Sequence, residues 1–178
     1  MGSVRSAAEL HRLLVDEAHG LVRAQRVLLI VDGPQGFQAA GWRLPRGESK
    51  AALLEAITPW LAEARRSGAA SLRHGPQGAA PAHQRSCLIA PLNAERETFG
   101  YLYADVEGRV GRFDVTGREL IVLLARQAAV VLANLCARER LETELSERSK
   151  EALEQQRASA EVLSVIRNSV SDTGPVFE

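Results

Sequence analysis

RSCLIAPLNAERETFGYLYAD, residues 85–105, is the stretch whose reading decides the fold. Arg85–Leu92 is nearly continuously apolar, the polar run NAERE follows, and Thr98–Asp105 is apolar again. Two short apolar runs around a polar turn form an antiparallel hairpin. In the return strand, the two-residue period places Phe99, Tyr101 and Tyr103 on one face and Gly100, Leu102 and Ala104 on the other. The small face can accept a closely packed helix, and the aromatic face can line a core or a pocket.

Downstream, FDVTGREL opens a helix, with Thr116 and Glu119 at capping-box spacing. From Leu120 to Cys136 this helix is apolar nearly all round, so it must be covered on more than one side. Ile121, Leu124, Ala128, Leu132 and Leu135 form a face for the sheet. Leu120, Leu123, Val130 and Val131 need a second partner, most simply the same helix of another copy. Arg126, Gln127 and Asn134 interrupt the run, so no apolar run is expected to reach membrane-spanning length. Past Ala137 the charges alternate in sign around a sparse stripe of Leu141, Leu145, Leu153, Ala160 and Leu163. The steps from Leu145 through Ser149 to Leu153 break the heptad with a stutter. A helix from Val115 to Arg167 would be on the order of 80 Å long at 1.5 Å per residue. An isolated solvated helix of this kind is marginal, so a coiled-coil partner is implied.

Upstream, SAAELHRLLVDEAHGLV carries a helical stripe, with Ser6 and Glu9 at capping-box spacing. RVLLIVDG is a strand buried on both faces, and GFQAAGWRL pairs with it through Asp32-Gly33-Pro34. GESKAALLEAITPWLAEARRSG is helical, as one bent helix or two short ones about Pro59. ASLRHG is a third strand, and Pro76–Arg85 is a loop of small residues.

The order of these elements resembles a GAF domain, the small-molecule-sensing module of bacterial signalling proteins. RSCLIAPLNAERETFGYLYAD is similar to the family's central hairpin, with Pro-Leu closing one strand and Phe-Gly opening the next. GRFDVTGRELIVLLARQAAVVLANL is similar to its closing segment, and the resemblance runs from Val4 to Leu135. It implies an α+β fold: a central antiparallel sheet, the first and last helices on one face, and a ligand pocket enclosed on the other. A long C-terminal coiled-coil exit helix follows. EQQRASAEVLSVIRNSVSDTGPVFE is similar to linkers between tandem GAF domains of sensor histidine kinases and some nucleotide cyclases. The expected organisation is a sensory domain over 4–136, a signalling helix over 137–168, and a linker over 169–178 in which Val176-Phe177 begins a further domain.

The 178 residues are 46% hydrophobic and 25% charged with zero net charge, so there is no electrostatic case for nucleic acid or an anionic membrane. Cys87 and Cys136 lie far apart, outside any metal-like spacing, as expected of reduced thiols in a cytoplasmic protein. There is no phosphate loop, nucleophile elbow or kinase signature. None of His11, His19, His74 and His83 has the acidic neighbour of a phosphoacceptor histidine, and His11 and His19 lack metal spacing. The candidate ligand-binding residues are Trp42, Trp60, Arg85, Tyr101 and Tyr103, with Arg73, His74 and His83 bordering the loop. The candidate dimer residues are Leu120, Leu123, Val131, Leu141, Leu145, Leu153 and Leu163. No cofactor is named by the residues. The expectation is a non-catalytic sensory module of a two-component histidine kinase, homodimeric through its last helix and joined to downstream GAF or kinase domains. Two alternatives remain. One is a thiol-dependent reductase of free methionine sulfoxide, in which Cys87 is the nucleophile. The other is a ligand-free dimerisation spacer.

Overall fold

A computed structural model describes residues 7–80, 83–95 and 97–171, with side chains through residue 163. The elements are α1 (Ala7–Val22), β1 (Arg26–Gly33), β2 (Gly36–Arg43), α2 (Lys50–Ser67), β3 (Ser71–Gly75), β4 (Arg85–Ala94), β5 (Glu97–Glu107) and α3 (Val115–Ser171). The five strands form one antiparallel sheet in the order β2-β1-β5-β4-β3. The chain divides into two compact units, one reaching Leu135 and one starting at Cys136.

The first unit has a core on each face of the sheet. Val27 and Leu29 of β1, Leu88, Ala90 and Leu92 of β4, and Leu102, Ala104 and Val106 of β5 pack with α1 and α3. The α3 residues there are Ile121, Ala125, Ala128, Ala129 and Leu132. On the opposite face Leu28, Ile30, Ile89, Tyr101 and Tyr103 pack with Leu53, Ile57, Leu61 and Ala64 of α2. This two-sided burial is why the central strands read as continuous apolar runs. α1 lies close on β2, where a Cβ on Gly41 would come 3.2 Å from the His11 carbonyl oxygen.

Three local expectations are corrected. Phe99 belongs with the α1/α3 core, not with Tyr101 and Tyr103. The pairing register shifts between Pro91 and Asn93, and Gly100 takes φ 152. A bulge of this kind adds a residue to one strand and reverses the alternation beyond it. Pro91 is tolerated there because β3 pairs with β4 only up to Ile89, leaving Pro91 on an open edge. Second, the cap of α3 is Asp114, not Thr116: the Gly117 amide donates to Asp114 Oδ1 at 2.8 Å. Third, β1 and β2 pair as far as Gly33↔Gly36, so the connection is Pro34-Gln35. α2 is one helix with Pro59 inside it, capped by Ser49 and closed by Gly68 at φ 63.

By length and composition, α3 does carry a stretch apolar enough to cross a membrane, within Val115–Leu163, which corrects the sequence expectation. Ile121, Ala125, Ala128, Ala129 and Leu132 of that stretch are buried against the sheet, as the core helix of a folded domain requires. The second unit is the continuation of α3, with Leu141, Leu145, Leu153, Val162 and Leu163 exposed. The expected domain start at Val176-Phe177 lies outside the described residues.

Candidate ligand cavity

A cavity of about 740 Å³ lies on the α2 side of the sheet. Its α2 wall is Ser49, Ala52, Leu53, Ala56, Ile57 and Trp60, which recur at helical three- and four-residue steps. Alanine at 52 and 56 stops short of the sheet and leaves room that longer side chains would fill. The floor is Arg26, Cys87 and Tyr103, from β1, β4 and β5. The rim is Arg73, His74, Gly75 and Pro76, then His83 and Arg85, which flank the small-residue loop. The volume lies within the range of ordinary small-molecule sites, roughly 300–1,000 Å³.

Asp105 anchors the floor. It is fully buried and receives both guanidinium groups at the base of the cavity. Arg26 Nε donates to both carboxylate oxygens at 2.9 Å, and its Nη2 makes a further short contact with Oδ2. Arg85 Nη2 donates to Oδ1 at 3.2 Å, and the Tyr103 hydroxyl donates to Oδ2. A buried carboxylate persists only when paired and hydrogen-bonded in this way. Burial pulls the Arg26 guanidinium down, but the hydrogen bonds and charge of Asp105 outweigh it and hold Arg26 above its ordinary value. Tyr103 is held well above the usual phenol range, by burial first and then by the Asp105 charge. Burial also raises the Cys87 thiol, with the Tyr103 hydroxyl 3.7 Å from its sulfur as a smaller opposing influence. A raised thiol is poor in thiolate, the reactive form.

Behind the rim, the Ser86 hydroxyl lies 2.8 Å from His74 Nδ1 and accepts from the Phe113 amide at 3.0 Å. This ties β3 and β4 to the residue that precedes the α3 cap. His74 is depressed by burial and then by the Arg112 charge.

Of the residues singled out in the sequence, Trp60, Arg85 and Tyr103 line the cavity, together with Arg73, His74 and His83. Tyr101 and Trp42 are not among its lining residues. Tyr101 is buried, with its ring edge-on to Phe37 at 5.7 Å. Trp42 is half exposed on β2, the edge strand, and Lys50 Nζ sits 3.5 Å above its ring. The sequence reading missed Arg26, Glu48 and the α2 wall other than Trp60. Asp105 carried a legible signal: it is an acid on the face of Tyr101 and Tyr103 within the apolar run Thr98–Asp105, and a buried acid requires a partner. On α3, Leu123, Val131, Leu141, Leu145, Leu153 and Leu163 are exposed, and Leu120 is half-buried. Among the described residues no group of three or more His, Cys, Asp or Glu is placed to hold a metal.

A five-stranded antiparallel sheet with two helices on one face and a cavity under a third helix on the other defines an α+β sensor-type architecture. The sequence model of the GAF domain matches residues 6–132, and the chain belongs to the GAF family. The fold is similar to a GAF domain/HD domain protein from Geobacter sulfurreducens, with TM-score 0.59 and 16% identity over 73% of this chain and 94% of that one. It is also similar to the second GAF domain of DevS from Mycobacterium smegmatis, with TM-score 0.54 and 20% identity over 76% and 99% of the two chains. The GAF domain of a candidate sensor histidine kinase from Pseudomonas syringae pv. tomato aligns with TM-score 0.54 and 21% identity over 76% and 82%. At these identities the likeness is one of fold. No curated protein matches the chain.

Proposed function

We propose that this chain is the sensory module of a cytoplasmic signalling protein of the sensor histidine kinase type. It takes a small molecule in the α2 cavity and passes the effect through α3, which pairs with α3 of a second copy. The observation that carries this reading is the shared use of β4 and β5. One face of these strands supplies Cys87 and Tyr103 to the cavity, and the other supplies Leu88, Leu102 and Ala104 to the bed of α3. A ligand that shifts the floor therefore acts on strands that hold the output helix, and packed elements respond by discrete rearrangement.

The α3 surface supports the dimer. Leu120, Leu123, Gln127, Val130, Asn134, Ala137 and Leu141 follow alternating three- and four-residue steps, the spacing of a coiled-coil seam. Gln127 and Asn134 within this seam weaken it. A seam of that kind can hold two arrangements of similar energy, which a ligand can bias. Burial of Cys87 and its raised thiol weigh against the reductase reading.

Native mass spectrometry of the protein as purified from cells tests the proposal. The expected result is twice the chain mass, with a small-molecule addition that is lost on mild activation. A monomer at micromolar concentration would overturn the α3 relay. Turnover of free methionine sulfoxide that disappears in Cys87→Ala would replace the sensor reading with the enzyme one.

A further inference from the structure

Among the described residues, Arg73 and Arg85 are the cavity side chains with a buried donor that has no partner. Arg73 is paired with Cys87 across β3 and β4, and Arg85 lies two residues before Cys87 on β4. That parity puts both on the face that carries Cys87 and Tyr103, and both line the cavity. The Nε of each is buried and has no hydrogen-bond partner among the described residues. A buried guanidinium N–H without an acceptor is costly, and it is satisfied by whatever occupies the space in front of it. The Nη2 of each head group is already engaged. Arg73 pairs with Glu63 and lies over the Trp60 ring at 5.8 Å. Arg85 pairs with Asp105 and donates to Gln25 Oε1 at 3.4 Å. Arg26, by contrast, spends Nε, Nη1 and Nη2 on Asp105 and Glu48.

The charge balance disfavours a multiply charged guest. Three arginines and Glu48 line the cavity, and the buried carboxylate of Asp105 lies against two of those arginines. Arg73 also pairs with Glu63, so the three arginines face three carboxylates, and among anions a guest with a single carboxylate disturbs that balance least while a phosphate dianion disturbs it most. The opposite wall is apolar, formed by Leu53, Ile57, Trp60 and the two alanines of α2. We propose that the cavity binds a small monocarboxylate with an apolar body, its carboxylate held between Arg73 and Arg85 and its body against α2. This inference rests on the sensory reading above and names the ligand class for that site. Two donors held in place before binding match the two oxygens of a carboxylate at little further ordering cost.

The test is calorimetric titration of the full chain with hexanoate and 3-phenylpropanoate against their neutral amides, at pH 7 and fixed ionic strength. The acids are expected to bind at least about tenfold more tightly than the amides, as charge-assisted hydrogen bonds to the buried Nε donors of two partly exposed guanidinium groups give. Arg73→Gln should remove that preference while leaving amide binding in place. Arg85→Lys, which keeps the charge toward Asp105 but loses the fork, should reduce it. Circular dichroism confirms that both variants are folded. Equal affinity for acid and amide, or acid binding unchanged in both variants, would overturn the proposal. The neutral fluorophore N-phenyl-1-naphthylamine separates this failure from that of the sensor reading. If it or the amides enter, and Ala56→Trp blocks them, the cavity stands as a sensory site and only the anion assignment falls. If no probe of any charge enters, both fall.

Discussion

Gly100 shows how one residue sets the geometry of the floor. A Cβ there would stand 2.3 Å from the Ile30 carbonyl oxygen, and the backbone φ of 152 already disfavours any side chain. Gly100→Ala is expected to destabilise the fold by about 3 kcal/mol, measured as the urea midpoint. A midpoint within error of the parent would mean that β1 and β5 are not so close. Asp105 is the second such residue. Asp105→Asn leaves Arg26 and Arg85 facing a neutral group, and about 2–3 kcal/mol should be lost, because both arginines retain some access to water. The double-mutant cycle with Tyr103→Phe should be clearly non-additive, since Tyr103 donates to the same carboxylate. Cys87 gives a chemical readout. Its buried, raised thiol should react with a disulfide reagent far more slowly at pH 8 than in the denatured chain, and should accelerate only at a pH above that of a free thiol. Labelling at the denatured rate would show that the site is open and the thiol ordinary.

α3 does two jobs along one helix. Toward the sheet it presents Ile121, Ala125, Ala128, Ala129 and Leu132, and the alanines let it lie close on Ala104 and Leu102. On its free side Leu123 and Val130 are each 55% exposed. Leu123→Glu with Val130→Glu should abolish dimerisation in sedimentation analysis while leaving the circular dichroism of the first unit intact. Persistence of the dimer would place the interface elsewhere. Loss of the fold would show that these residues serve the core. The start of the helix depends on its cap: Asp114→Ala should cost about 1 kcal/mol by freeing the Gly117 amide.

At the scale of the whole molecule, His11, His19 and His74 share a direction of shift. All three are lowered: His11 by burial, His19 by burial and then Arg43 against a smaller raising effect of Asp16, and His74 by burial and then Arg112. A depressed histidine takes up its proton more readily in the unfolded chain. Its stabilising contribution is complete above the unfolded value of 6.5 and is lost as pH falls through the lower folded values. The thermal midpoint is therefore expected to fall between pH 7.5 and 5.5, before the carboxylates titrate. Replacing His11 and His74 by Gln should flatten the fall. A midpoint that stays level or rises on acidification would contradict the burial of these rings.

The amino-acid sequence by itself determined the central hairpin, the two-sided sheet and the apolar first part of α3, because burial on two faces removes the polar alternation from every element it touches. It also made Trp60, Arg85 and Tyr103 visible as cavity residues, by type and by position around the small-residue loop. Phe99 and Trp42 were out of its reach. A bulge exists only relative to a partner strand, and Trp42 falls outside the cavity because its strand ends at the sheet edge, which is a matter of strand order. The pairing of Asp105 with Arg26 spans 79 positions, so local spacing carries no trace of it. The cavity was likewise decided by tertiary structure alone. Ala52 and Ala56 are ordinary helix formers in the sequence, and they become the site only because packing sets that face of α2 across the cavity from two arginines with buried, unused donors.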